Sequence, residues 1–219
     1  DQISIEIGYD LELVPAGSFD IDEIEFSGPP DNVSIRALAA GITKQLRTKR
    51  SAAFENQTLD KIVSSVAGKN GLAVVGTVEA IPIARVSQYK ETDLAFLNRL
   101  SKKYGHVFSV RSKSLIFYRI YDLESLAFTQ EFDRSQLISF SLMDKTQETY
   151  KKAQVRFHNP TNQKVVSATV EEEDDDTASD DLEVWTKAES NQEAREIARS
   201  KLHRMNTRKV EGTISVEGA

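Results

Sequence analysis

Carboxylates are the groups most able to do chemistry in this chain, with 34 Asp and Glu against three His and no Cys. They crowd one stretch, EEEDDDTASDD, Glu171 to Asp181. Clustered carboxylates can hold calcium, but a calcium loop alternates Asp or Asn, turns on a central Gly and ends on Glu. That order is absent, so the stretch reads as a solvated loop between strands, where like charges favour exposure. The histidines, His106, His158 and His203, share no metal-pair spacing of the HExxH kind. Each reads as a surface or packing residue, since an isolated imidazole needs a partner to act as ligand or base. Asp20 with Asp22, and Glu23 with Glu25, alternate with apolar residues and read as the wet side of a sheet, although a glycosidase pair need not be adjacent. There is no GxSxG elbow, GxGxxG or GK[ST] phosphate loop. Gly68-Lys69-Asn70-Gly71 ends a helical pattern and suits a cap. The sequence assigns no catalytic residue, no metal site and no cofactor.

Net charge narrows the partners. At −6 over 219 residues, with a pI near 5.3, free nucleic acid is a poor direct ligand, because phosphate binding needs clustered Lys and Arg. One modest basic group, Lys44, Arg47, Lys49 and Arg50, lacks interleaved aromatics and reads as a solvated edge or a protein contact. Without cysteine there is neither disulfide nor thiolate chemistry. No apolar run approaches the ~18 residues of a membrane helix, and no stretch of the given residues reads as a signal peptide. Opening at Asp1 without methionine, the chain reads as an internal, processed or trimmed piece of a longer protein.

The elements fall in three stretches. Residues 1–50 read as strands: Ile3, Ile5 and Ile7 alternate with polar residues, and Val33, Ile35 and Ala37 do so again. Pro15-Ala16-Gly17 and Gly28-Pro29-Pro30-Asp31 read as turns. Phe19 and Ile21 hold one parity and Ile24 and Phe26 the other, which predicts a bulge or bend between them. Residues 51–120 read as a compact α+β insertion. Thr58 is placed to cap a helix carrying Leu59, Ile62, Val63 and Val66, with Gly71 past its end. Ala73–Val78 reads as a strand. Thr92 is placed to cap a second helix, with Asp93 at the positive end of its dipole. Leu94, Phe96, Leu97, Leu100 and Tyr104 make its apolar stripe, Lys102 and Lys103 fill its last turn, and Gly105 takes the left-handed cap. VFSVRSKSLIFYRI reads as a hairpin. Residues 121–219 return to strands, with turns at Asn159-Pro160, a strand at Val184 and Trp185, and a helix opened by the capping-box pair Ser190 and Glu193. The pattern as a whole predicts a mainly β, α+β protein: two small antiparallel β-barrels or sandwiches, 1–50 (part) and 121–219, around the inserted domain 51–120.

This order resembles the phage late control protein D family, the baseplate hub proteins of contractile tails and related injection machines. The resemblance rests on LVPAGSFDIDEIEFSGPPDNVSIRA (Leu13–Ala37), QTLDKIVSSVAGKNGL (Gln57–Leu72), IPIARVSQYKETDLAFLNRLSKKYGHVFSVRSKSLIFY (Ile81–Tyr118), and the late capped helix with VEGTISVEG. The most recognisable block centres on Thr92, Asp93, Phe96, Leu97, Leu100, Tyr104 and Gly105. One departure is Ala53-Phe54-Glu55, where the family has a Trp-His pair. The resemblance implies a non-enzymatic structural role: a homotrimer with two barrels per subunit, forming a pseudo-sixfold ring. That ring would join a tail tube protein to a central spike protein. DNA would pass through it only as cargo, without membrane insertion by this chain; an acidic lumen is a separate hypothesis, drawn from the net charge, and would keep phosphates from sticking. The implied location is the virion tail baseplate, after synthesis in the bacterial host cytoplasm; the particle could be a phage, a prophage or a related device. The alternative from another class is a non-enzymatic adaptor or regulatory protein-binding module; a cell-wall hydrolase comes third.

Overall fold

The computed structural model describes residues 1–9, 12–39, 44–111, 113–127, 130–145, 149–159, 164–171 and 180–217. Its first part is an antiparallel meander of β1 (Gln2–Tyr9), β2 (Glu12–Ser27) and β3 (Asn32–Ala39), in that spatial order. Pro15-Ala16-Gly17 is not a turn but lies inside β2. The pairing steps from Ile5↔Gly17 to Glu6↔Pro15, leaving Ala16 as an extra residue. Gly17 there has φ 129, a conformation that turns and bulges share, so composition does not separate the two. A second step, from Ile21↔Ala37 to Glu23↔Arg36, leaves Asp22 extra, at the predicted parity switch. Directly opposed residues share a face. The two bulges therefore bring Ile3, Ile5, Ile7, Val14, Phe19, Ile21, Ile24, Phe26, Val33 and Ile35 to one side of the sheet.

The middle of the chain runs α1 (Lys44–Arg47), β4 (Lys49–Thr58), α2 (Leu59–Lys69), β5 (Ala73–Val75), β6 (Pro82–Thr92), α3 (Asp93–Lys103), β7 (His106–Arg111), β8 (Ser114–Arg119) and α4 (Ile120–Glu124). β4 pairs with β6, and β5-β8-β7 form a second small sheet. The helices follow their periodicity: α2 buries Leu59, Ile62, Val63 and Val66, and α3 buries Phe96, Leu97 and Leu100. Each such side chain contributes roughly 1.5–3 kcal/mol by leaving water. Thr58 stands at the N-cap of α2 but its hydroxyl caps nothing; the Leu59 amide donates to Ile81 O instead. β5 ends at Val75, short of the predicted Val78.

The last part holds β9 (Leu137–Asp144), β10 (Tyr150–Asn159), β11 (Lys164–Glu171), β12 (Asp180–Trp185), α5 (Asn191–Asn206) and β13 (Val210–Val216). β11-β10-β12 form one sheet and β9 with β13 another. α5 lies on the first of these, so that Ala194, Ile197, Ala198 and Leu202 share a core with Ala153, Val155, Val166 and Ala168. That core is continuous from Leu46 to Leu202 and takes nothing from β1–β3, β9 or β13 among its buried residues.

The mainly β, α+β character matches expectation, while the expected barrels are not seen as closed sheets. Among the described residues every sheet has two or three strands and none closes on itself. A barrel needs enough strands, tilted and staggered, to meet end to end. The Asn159-Pro160 turn and residues 172–179 of the acidic stretch lie at least partly outside the described residues. No helix among the described residues is long and apolar enough to cross a membrane.

Candidate functional site

The block from Thr92 to Gly105 is where four separate elements meet. Thr92 Oγ1 accepts from the Ala95 amide at 3.1 Å, which stops the chain leaving β6 and starts α3. Asp93 does more than complement the helix dipole. It is 1% exposed, and its carboxylate accepts from Asn70 Nδ2 at 2.8 Å and Gln88 Nε2 at 2.8 Å, with Arg50 Nε at 3.3 Å. Asn70 comes from the end of α2, Gln88 from β6 and Arg50 from β4. A buried charge persists only when paired and hydrogen-bonded in this way. The sequence placed Arg50 only in a basic cluster and Asn70 only in a capping stretch, and it gave Gln88 no role, because their shared partner Asp93 is fixed by packing.

Further along α3, Phe96 stacks on Phe54 with centroids 5.4 Å apart, and Leu97 and Leu100 are fully buried. Tyr104 closes the helix and donates its hydroxyl to Glu193 Oε1 at 2.8 Å. Lys103 Nζ reaches the same oxygen at 2.8 Å. Burial, then the Glu193 carboxylate, pushes the Tyr104 phenol well above its ordinary range, so it stays a donor. Ser190 caps α5 by accepting from the Glu193 amide at 3.0 Å. The reciprocal half of the expected box is displaced: Glu193 Oε2 accepts from the Glu189 amide at 2.9 Å while Oε1 serves Tyr104 and Lys103. Gly105 takes φ 71 and sits where an added Cβ would lie 3.3 Å from Ser200 Cβ of α5. The sequence block and the late helix, about ninety positions apart, are thus one packed unit.

The other candidate groups scatter. His106 is 4% exposed, bonded through Nδ1 to Tyr104 O at 2.9 Å and packed on Phe117. His158 is exposed on β10, and His203 packs on Tyr121 with Glu124 beside it. Asp20 bonds Gln2, Glu23 pairs with Arg36 and Asp22 pairs with Arg47. None of these brings two carboxylates to one cleft among the described residues. Of the basic cluster, Arg47 and Arg50 are occupied by Asp22 and Asp93, while Lys49 remains exposed.

Burial lowers the His106 imidazole to about 4, against an ordinary value near 6.5. The unfolded chain then takes up a proton that the folded chain refuses. The contribution is complete above pH ~6.5 and is lost as pH falls through about 4. On the order of 3 kcal/mol of stability should disappear over that window. Denaturant titrations at pH 7 and pH 4, compared with His106→Asn, isolate it; an equal pH loss in the variant would refute the assignment.

Two apolar faces are uncovered. On β1–β3, Ile7, Val14, Phe26 and Val33 are each more than half exposed. On β9 and β13, Ile138, Phe140, Leu142, Val210 and Ile214 share a face, opposite Ser139, Ser141, Thr213 and Ser215. Gly212 is required inside that ribbon, since a Cβ there would collide with the Ser141 carbonyl. Monomeric proteins rarely expose contiguous apolar surface of this kind.

Comparison with known proteins agrees with this arrangement. The chain is 34% identical over 109 residues to the probable baseplate hub protein of Escherichia phage 186, covering 49% of this chain and 28% of that protein. It is 34% identical over 120 residues to the probable baseplate hub protein of Escherichia phage P2, covering 53% and 31%. The chain thus spans under a third of the length of these curated relatives. Its fold is similar to the 43 kDa tail protein of prophage MuSo2 from Shewanella oneidensis, with TM-score 0.63 and 15% identity over 99% of this chain and 73% of that one. Residues 31–219, from the turn before β3 through the Asp93 node and the Tyr104–Glu193 bridge, match the phage tail baseplate hub (GPD) family, and the chain belongs to that family.

Proposed function

We propose that this chain is the ring-forming part of a baseplate hub, three copies of which enclose a channel between a tail tube protein and a central spike protein. The observation that carries the reading is the apolar face of β1–β3, which bulges align on one side and which nothing among the described residues covers. A second uncovered face on β9–β13 gives each subunit two such surfaces, as a ring of repeated barrels needs. The barrels would then close only when strands from outside the described chain complete these open sheets. The division into 1–50, 51–120 and 121–219 follows the same logic, with the two ring-facing sheets at the ends. The opposite face of β1–β3 carries Glu6, Asp20, Glu23 and Glu25 against Arg36. Turned inward, it would give an acidic wall that repels DNA phosphates in transit. The reading is structural and non-enzymatic, at the tail baseplate of a virion assembled from host-made subunits.

Light scattering over a concentration series tests it. A trimer of the 24.5 kDa chain, about 73.5 kDa, is expected. Ile24→Glu with Phe26→Glu should abolish it while the resulting monomer keeps the wild-type circular-dichroism spectrum, because both side chains are already exposed on the single chain. A monomer at every concentration would favour the adaptor reading instead.

A further inference from the structure

The sheet of β4 and β6 contains an outlier. Between Arg50↔Glu91 and Ala52↔Gln88 the register shifts, so Ser51 faces two residues, Tyr89 and Lys90. Lys90 sits at φ 46, a left-handed conformation that lysine rarely adopts. Its amide donates to Ser51 Oγ at 3.1 Å, which holds the bulge in place. Bulges re-aim side chains, and backbone strain is kept where surrounding structure demands it and use repays it. Here the bulge turns Tyr89 outward, 74% exposed, with Lys90 Nζ 5.6 Å from its ring centroid.

A shallow, open groove of about 530 Å³ lies beside this bulge, lined among others by Lys49, Ser87, Tyr89, Lys90, Thr92 and Arg99. Its charged rim is three cations against Glu91, on a chain whose net charge is −6. Arg99 is held by Glu91 at 2.9 Å and by Ser87 O at 2.9 Å. Lys49 and Lys90 have no carboxylate within ion-pair distance among the described residues. Lysine on an edge strand can discourage stray pairing, but that role asks for neither a left-handed backbone nor an exposed tyrosine beside it.

We propose that this groove docks a short acidic segment of a partner protein, with carboxylates on Lys49 and Lys90 and an apolar or aromatic side chain against Tyr89. A nucleic-acid backbone fits less well. It needs a continuous basic track, and the neighbouring Arg47 and Arg50 are already bound to Asp22 and Asp93.

Fluorescence anisotropy with a fluorescein-labelled Glu-Glu-Phe-Glu-Glu peptide tests the site on the whole chain. Saturable binding that weakens with salt is expected. Lys49→Gln, Lys90→Gln and Tyr89→Ser should each weaken it about three- to fivefold. Lys90→Gly separates docking from folding: it removes the strain, so the unfolding midpoint should not fall, yet binding should weaken as in Lys90→Gln. No saturable binding, or equal binding to the Lys49→Gln, Lys90→Gln double variant, would overturn the proposal. So would a 15-nucleotide single-stranded DNA that displaces the peptide through the same two lysines, which would make the groove a nucleic-acid site. Solution mass of these variants should not change, so failure here and failure of the ring reading are told apart.

Discussion

Asp93→Ala is expected to lower the free energy of unfolding by about 3–5 kcal/mol, read as a lower denaturant midpoint at unchanged slope. The size follows from what the substitution leaves behind. Asn70 and Gln88 would keep buried amide donors aimed at an empty space, and Arg50 would lose its counter-charge. Unmet buried donors each cost about 1–3 kcal/mol. The pair with Arg50 adds least, because that side chain is 34% exposed and water screens it. Asp93→Asn should therefore fall between wild type and Asp93→Ala: it keeps one acceptor oxygen but turns an amide donor toward other donors. A change under about 1 kcal/mol for Asp93→Ala would show that water enters and replaces the carboxylate. Since α2, α3, β4 and β6 all reach this residue, its loss should also loosen the bulge that presents Tyr89 and Lys90.

The second large effect is Glu193→Ala, expected to cost about 3 kcal/mol and to lower the thermal midpoint by about 6–12 °C for a chain of this size. Three donors lose an acceptor at once: the Tyr104 hydroxyl, Lys103 Nζ and the Glu189 amide. Tyr104→Phe removes a single bond and should cost only about 1–2 kcal/mol. A double-mutant cycle between the two should give a coupling of about 1 kcal/mol or more. Additive effects would mean that the two side chains do not meet in solution, and that α3 and α5 are joined by their apolar contacts alone.

These residues also mark what can be read from a linear chain. α3 was legible because its determinants are local: the Thr92 cap, the apolar stripe and a left-handed glycine all lie within fourteen positions of one another. α5 was legible for the same reason, and so was the parity switch in β2, since alternation is a property of neighbours. The sequence by itself determined these segments, the family and the lack of any catalytic motif. Only the tertiary structure decided that Asp93, which looks like a dipole-matching charge, is a buried node. It alone decided that Glu193 turns from its own capping box to Tyr104, and that adjacent Lys49 and Arg50 have opposite fates. The same holds for Pro15-Ala16-Gly17, whose residues suit a bulge and a turn equally until the opposing strand is in place. The physical reason is common to all four cases. Short-range hydrogen bonds and periodic burial are set by residues a few positions apart, whereas the partner of a buried charge or the register of a strand depends on a separate element, from about ten to about ninety positions away.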